Sequence, residues 1–327
     1  MGPKLELFIA NNRNGKSYDV SSICESVEYS STRGSEASTL SFTILKDGII
    51  DFQNGNTVSF YAEGKGVFKG VINEKRKDQN GVIRVHAVDQ LWYLKAKDVY
   101  QSPIGVSETA AEAIYKLCMR YGLNTGRLDG SYREHWLYSD DIAVQDIIID
   151  MVNRQIRGEA KVYCLYDDFG KICLTEPTAI EIPVVLGDKS LVYAYEYTTD
   201  IKETYNEIKL MKENKEAGKM EAYIVYDSST MANWGRLVLR ERIDETTTDP
   251  KSLARTMLAY YNRERRTLKV DSLGVIGVRA GSIVPFEIMR LGDIALSQKL
   301  IIEKATHRFK NCDHTMTLET KVVREYA

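Results

Sequence analysis

The sequence predicts a β-rich α+β chain in which two related β-barrel domains flank a small α/β domain. Three observations lead there. Short strand-like runs, separated by Gly, Asn and Asp turns, fill both ends of the chain. Two helical patterns and a short strand pair fill the middle. One six-residue pattern occurs in each β-rich part, GNTVSF at 55–60 and GSIVPF at 281–286, with Gly first, Val fourth and Phe sixth.

The bulk numbers set limits. A chain of 327 residues is too long for one ordinary core and suits two or three domains. Its 43% hydrophobic and 28% charged residues fit a folded chain and argue against disorder. A net charge of -2 provides no global field to draw in nucleic acid, although local basic patches stay open. The 20 Tyr against 8 Phe favour half-buried sheet surfaces and contacts with other chains. The cysteines, Cys24, Cys118, Cys164, Cys173 and Cys312, are odd in number and widely spaced. Only Cys164 and Cys173 could face each other, across a turn at Asp167–Gly170; the preferred reading is buried free thiols in a reducing compartment. No run approaches the roughly 18 to 20 apolar residues of a membrane span, so no membrane anchor is expected. The start, MGPKLELFIANN, does not read as a secretory signal.

Residues 1–100 read as the first barrel. VEYSST, TLSFTIL, TVSFYAE, GVFKGVI and VIRVHAV are its strands. Turns fall at Gly34, Asp47-Gly48, Asn54-Gly55 and Asn80-Gly81, and Asn-Gly between strand-like runs signals a hairpin. Residues 101–185 form the α/β domain. Its first helix has Ser107 as N-cap, Ala110, Ile114, Leu117 and Tyr121 on one face, and Gly122 as its stop. A second helix spans 142–156, capped by Asp140 or Asp141, with Ile142, Ile147, Ile148 and Met151 inward and Gly158 at its end. KVYCLYD and KICLTE follow as a strand pair turning at Asp168-Phe169-Gly170.

Residues 186–327 form the second barrel, with hairpin insertions and one helix. NEIKLMKE and MEAYIVYD make a hairpin at Glu216-Ala217-Gly218. DPKSLARTMLAYYNRERR is helical, with Pro250 early and Leu253, Met257, Leu258 and Tyr261 inward. IMRLGDIALSQKL suits a longer hairpin arm. The repeat extends beyond its six residues. Thr39-Leu40 precedes Gly55, Val58 and Phe60 as Thr267-Leu268 precedes Gly281, Val284 and Phe286. VINEK at 71–75 lines up with IIEKA at 301–305, and each is followed by a turn and a last strand. These ten residues read as core and turn positions of two copies of one domain, not as a ligand site.

A search for chemistry returns little. The chain lacks a P-loop, GxGxxG after a strand, GxSxG, HExxH and paired CxxC. His86 reads as a half-buried sheet residue and His135 as a loop residue packed near Trp136. His307 and His314 could meet across a hairpin, with Cys312 or Asp313 nearby. Two ligands do not make a zinc site, which takes three or four. Asp140-Asp141 read as caps, Asp167-Asp168 as a turn, and Glu241, Asp244 and Glu245 as a solvated loop. The basic cluster Arg263, Arg265 and Arg266 closes a helix, where the dipole favours cations, and lacks interleaved aromatics for nucleic acid. No catalytic, metal or cofactor site is predicted, and the chain is not expected to be an enzyme.

The residues carry a resemblance. Gly235-Arg236-Leu237, Ile243-Asp244-Glu245, Asn262-Arg263, Thr267-Leu268, Leu273-Gly274 and Arg279-Ala280-Gly281 follow one another in an order that resembles the baseplate hub family of contractile phage tails and tail-like bacteriocins, in its XkdQ-type, late-control-protein-D-like branch. The closing HRFKNCDHTMTLE, with His307 and His314-Thr315-Met316, is similar to that family's last hairpin. The N-terminal half matches more loosely, through EYSxxR, TLSF, GxxVxF and FKGVI. The resemblance covers nearly the whole chain.

It implies two tube-type β-barrel domains per chain, and a homotrimer that presents six. Such a ring adapts symmetry between a hexameric tail tube and a trimeric spike. Its lumen passes the tape-measure protein or DNA, the only contact with nucleic acid expected. The expected partners are the tube protein, the spike protein, the tape-measure protein and other baseplate proteins. The expected setting is assembly in the bacterial cytoplasm and residence in the baseplate of a prophage-type virion or bacteriocin. No lysozyme-like or peptidase segment is seen, so wall hydrolysis is not implied. The rivals are a cell-wall-acting hydrolase or carbohydrate-binding tail protein, and a type VI secretion spike component.

Overall fold

Alternation decides the N-terminal strands. The chain, described from a computed structural model over residues 2–34, 36–45, 49–159, 161–214, 218–243, 249–291, 294–311 and 313–322, begins with seven of them. They are β1 (Leu5–Ala10), β2 (Ser17–Asp19), β3 (Cys24–Thr32), β4 (Thr39–Leu45), β5 (Thr57–Ala62), β6 (Lys65–Lys77) and β7 (Val82–Val88). In β4, Leu40, Phe42 and Ile44 are buried while Thr39, Ser41 and Thr43 are half-buried. A pleated strand sends successive side chains to opposite faces, so this period gives one buried face. That face joins Leu7, Tyr29, Phe60, Phe68 and Phe309 in one core.

Asn80-Gly81 closes a hairpin, with Lys77 opposite Ile83. Asn54-Gly55 does not. β4 pairs with β3 and β7, whereas β5 pairs with β1 and β6. The turn chemistry is local, but the choice of partner is tertiary. The expected turns at Asp47-Gly48 and Glu216-Ala217, the acids Asp244 and Glu245, and Cys312 lie outside the described residues.

The middle of the chain holds β8 (Lys97–Gln101), β9 (Glu108–Thr109), α1 (Ala110–Arg120), β10 (Thr125–Leu128), β11 (Arg133–Glu134), β12 (Leu137–Ala143), α2 (Val144–Glu159), β13 (Cys164–Asp167) and β14 (Ile172–Thr175). The N-cap of α1 is Thr109, not Ser107. The Thr109 hydroxyl accepts from the Glu112 N–H at 3.1 Å, and the Glu112 carboxylate accepts from the Thr109 N–H at 2.8 Å. This reciprocal pair satisfies two N–H groups at once, which a lone Ser107 cap would not. Ala110, Ile114 and Leu117 are buried as expected.

Asp140 and Asp141 lie within β12, at an irregularity in its pairing with β8, and α2 begins only at Val144. Gly158 lies within α2 and does not end it; a Cβ there would stand 2.2 Å from the Tyr132 ring. Cys164 lies opposite Thr175 and Cys173 opposite Tyr166, so the two thiols do not face each other. Cys24, Cys118, Cys164 and Cys173 are all free. A second core forms around Leu117, Trp136, Ile147, Ile148 and Leu174.

The rest comprises β15 (Leu186–Gly187), β16 (Val192–Asp200), β17 (Glu207–Asn214), β18 (Lys219–Tyr226), α3 (Ser228–Trp234), β19 (Val238–Ile243), α4 (Pro250–Tyr261), β20 (Arg265–Leu273), β21 (Ile283–Leu291), β22 (Ile294–Lys310) and β23 (Asp313–Val322). The chain divides into two compact units, residues 1–196 with 269–327, and residues 197–268. In the smaller unit, β17 pairs antiparallel with β18 and parallel with β19. Leu253, Met257, Leu258 and Tyr261 of α4 pack on Ile208 and Leu210. Asp249 caps that helix by accepting from Ser252 N–H at 2.9 Å.

The main sheet runs β16-β20-β23-β22-β3-β4-β7-β6-β5-β1-β2, with β21 also on β22 and β15 on β21. β22 decides this continuity. Its first part pairs with β21, and Lys304–Lys310 pairs with β3 from Thr32 back to Ser26. Two five-strand runs thus share one order, β3-β4-β7-β6-β5 and β16-β20-β23-β22-β21. Among the described residues, no helix is long and apolar enough to cross a membrane.

Candidate functional site

The repeated residues stand in matching local geometry. Gly55 and Gly281 both have φ of 86°. That left-handed region suits glycine because a Cβ would crowd the backbone. Gly55 N–H donates to Ile72 O at 2.7 Å, and Gly281 N–H to Ile302 O at 2.8 Å. Ile72 N–H returns a bond to Asn56 O at 2.9 Å, and Ile302 N–H one to Ser282 O at 2.9 Å. Val58 lies opposite Gly70 and Val284 opposite Leu300. The register then slips between Ile72 and Glu74 on one side and between Ile302 and Lys304 on the other.

Val58, Phe60 and Val284 are fully buried, and Phe286 is 1% exposed. Thr39 and Leu40 open β4, and Thr267 and Leu268 lie in β20; each Thr is half-buried and each Leu buried. The two Leu, two Val and two Phe are buried apolar residues, and Phe60 meets Phe309 edge-on at 5.3 Å between centroids.

The opposite face of the sheet is polar. An open groove of about 530 Å³ crosses it, lined by Glu28, Glu74, Arg76, Arg84, His86 and Arg308 among others. Arg308 bonds Glu28 at 2.9 Å, Arg76 pairs with Glu74, and His86 Nδ1 meets Asn73 Oδ1 at 2.7 Å. The charges are mixed and largely paired within the sheet. Such a wall offers no enclosed apolar pocket for a small molecule and no one-signed patch for a polyanion.

His307 and His314 do meet. His307 Nδ1 lies 2.9 Å from His314 Nε2, and His307 Nε2 lies 2.8 Å from Val278 O. A carbonyl only accepts, so His307 Nε2 carries a proton and its Nδ1 accepts from His314. Burial pushes both imidazoles down to about 4. The His314 ring stacks on Phe309 at 4.1 Å. A Cβ on Gly274 would come within 2.2 Å of that ring, which explains glycine there. Among the described residues no three His, Cys, Asp or Glu cluster as metal ligands. The pair is a neutral core bond.

The remaining candidates are structural too. His135 is exposed, with Nδ1 3.1 Å from Val106 O, and Trp136 beside it is buried. Asp167 Oδ1 accepts from Gly170 N–H at 2.6 Å, which builds the expected turn. Burial raises its carboxyl. Sequence reasoning missed Asp89, which accepts from Ser38 and Leu91 N–H at 2.8 and 3.0 Å. Burial, then repulsion from Asp167, pushes Asp89 up to about 7. Its signal was the run Asp89-Gln90-Leu91-Trp92, an acidic cap before a helical turn. Burial also lifts the Cys24 and Cys164 thiols to about 11 and Cys118 to about 12, so none is a ready nucleophile.

In the basic cluster, Asn262 caps α4 and donates to Asp227 at 2.8 Å. Arg263 lies over the Tyr260 ring, and Arg265 pairs with Glu203 at 3.7 Å. Arg236 forks onto Glu207 at 2.6 and 2.7 Å and holds that carboxyl low.

A largely antiparallel main sheet beside a small α/β core is a fold shared with phage tail proteins of known structure. The tail protein of Neisseria meningitidis MC58 superposes with a TM-score of 0.73 at 12% identity, covering 100% of this chain and 98% of that one. The 43 kDa tail protein of prophage MuSo2 from Shewanella oneidensis gives 0.71 at 12%, covering 98% and 100%. The c3393 protein of E. coli, a component of the type VI secretion system, gives 0.54 at 12%, covering 99% and 78%. A family model described as YQBQ-like matches residues 27–321, and the chain belongs to that family. It is 24% identical to the phage-like element PBSX protein XkdQ of Bacillus subtilis strain 168 over 326 residues, 96% of each chain. It is also 24% identical to YqbQ of the same strain over 271 residues, covering 81% of this chain and 80% of that one.

Proposed function

We propose that the protein is a structural hub of a contractile-tail baseplate, a homotrimeric ring that joins a hexameric tail tube to a trimeric spike. The carrying observation is the repeated strand order, β3-β4-β7-β6-β5 and β16-β20-β23-β22-β21, with matching glycine turns at its two copies. Two copies of one β domain in a chain convert threefold assembly into sixfold presentation. On this reading, residues 1–100 and 186–327 are tube-type barrels and 101–185 the α/β domain between them. Thr39, Leu40, Gly55, Val58 and Phe60 correspond to Thr267, Leu268, Gly281, Val284 and Phe286.

The polar outer face of the sheet lines the lumen, which passes the tape-measure protein or DNA without gripping either. Tube, spike and other baseplate proteins are the partners, met after assembly in the bacterial cytoplasm. The protein acts by assembly, not catalysis. The fold likeness to a type VI component makes a secretion spike the nearest rival setting.

Sedimentation of the full chain, alone and with its spike protein, tests the reading. A trimer in either sample is expected. A stable monomer in both, with muralytic activity lost in Asp167→Asn, would sink it in favour of a wall-acting enzyme.

A further inference from the structure

The two five-strand runs are finished differently at one place. Past its register slip, β22 is paired on both sides. β23 lies on one side, and β3 on the other through Lys304–Lys310. In the first run β6 holds the place of β22, because Ile72 exchanges the same two bonds with Gly55 and Asn56 that Ile302 exchanges with Gly281 and Ser282. Past its own slip, Glu74–Lys77 pairs with β7 alone. Among the described residues, no strand lies on the other side of that segment. The strand holding the place of β3 in the second run is β16, and among the described residues β16 ends the strand order with only β20 beside it. One chain therefore contains one completed junction, β22 with β3, and the two unmated halves of a second.

We infer that the distal half of β6 in one subunit pairs antiparallel with β16 of the next, repeating the β22–β3 junction between chains. The inference rests on the hub reading and gives the ring its joint. The contact is head-to-tail, using a different patch on each partner, so it closes into a ring when the rotation suits. Completed and intermolecular junctions then alternate around that ring.

The side chains fit these different roles. The completed junction is apolar on its core face, where Val27, Tyr29, His307 and Phe309 are buried. It forms as the chain folds and never has to meet water. The unmated halves are polar and opposite in sign. On β6, Lys75, Arg76 and Lys77 are exposed and outnumber Glu74, with which Arg76 pairs, while β16 offers Glu196 and Asp200, with Tyr193 63% exposed. Separate subunits must stay soluble before they meet, and lysines on an edge strand keep wrong strands away. An acidic partner strand meets those cations, steers the encounter and selects the correct edge.

Three full-length variants test the joint by sedimentation, under conditions where the natural chain forms trimers. They are Arg76→Glu/Lys77→Glu, Glu196→Lys, and all three changes together. Each edge variant alone should assemble at least about tenfold more weakly, a shift of about 1.4 kcal/mol. A 1:1 mixture of the two should associate more strongly than either variant alone, since both joints between unlike chains bring opposite charges together. The combined variant should regain the trimer.

Amide exchange on the natural chain guards against misfolded variants, with protection at 73–77 and 192–200 expected to rise on assembly. If the variants trimerise normally, or protection there stays unchanged in the trimer, the joint is wrong while the hub reading stands. If the natural chain stays monomeric even on its spike, both fall.

Discussion

The turns at Gly55 and Gly281 share φ, hydrogen bonds and the following strand, yet their surroundings differ. A Cβ on Gly55 would meet nothing within 4 Å. A Cβ on Gly281 would stand 3.2 Å from Cys164 and 3.3 Å from Ile180. The same contrast runs along the two copies. Lys75 donates to Phe52 O and lies over that ring at 4.2 Å, whereas its counterpart Ala305 is fully buried. A shared backbone plan thus serves two environments, one open to solvent and one packed against the rest of its own unit. The plan is held by glycine and the buried face, and the differences fall on the residues around it.

The deepest shared feature gives the largest expected effect. Phe60→Ala and Phe286→Ala should each destabilise by about 3–5 kcal/mol, since both rings are almost wholly buried. Urea unfolding with circular dichroism measures this. A loss below about 1 kcal/mol at either site would break the correspondence between the two strands, because fully buried Phe does not come so cheaply.

The second test uses a feature found in only one copy. His307 and His314 are held neutral by burial, at about 4 against 6.5 when unfolded. Protons therefore favour the unfolded chain, and the pair's contribution is present above pH 6.5 and lost as pH falls towards 4. For the fully buried His307 that loss is about 2–3 kcal/mol at pH 4. His314→Gln should flatten the fall in melting temperature between pH 6.5 and 4. Asp89 acts in the opposite sense. Its carboxyl is raised to about 7 from 3.8, so its contribution is present below pH 4 and lost as pH rises through 7. An unchanged slope in His314→Gln would show that the pair does not titrate as a buried neutral bond.

The smallest effect compares the glycines themselves. Gly55→Ala should cost about 1–2 kcal/mol for left-handed backbone alone. Gly281→Ala should cost more, because Cys164 and Ile180 must give way. Thermal melts of both variants measure the gap. Equal costs would mean that the packing around Gly281 relaxes freely.

Much of the fold was legible because it rests on local rules. Alternation in TLSFTIL and VIRVHAV gave the bounds of β4 and β7. Pro250 and the apolar face of DPKSLARTMLAYY gave α4. The misses came from competition between local signals. Thr109 displaced Ser107 because Glu112 could complete a reciprocal cap. Asp140 and Asp141 resemble caps, yet β8 recruits their segment into a sheet. The repeat was visible as residues, but the ends of its strand order were not, since an edge is defined by which strand has no neighbour among the described residues.

The sequence by itself determined strands such as β4 and β7, the helix α4, the Asn80-Gly81 turn and the presence of one pattern twice. Each follows from period, capping and backbone sterics within a few residues. The tertiary structure alone decided that β5 turns away from β4, that β22 reaches past its hairpin to hold β3, and that Gly281 is packed while Gly55 is bare. Those choices bring together residues up to 280 positions apart, as in Arg308 on Glu28. Backbone hydrogen bonds between strands carry no residue identity, so only burial of the whole set of side chains selects the partner.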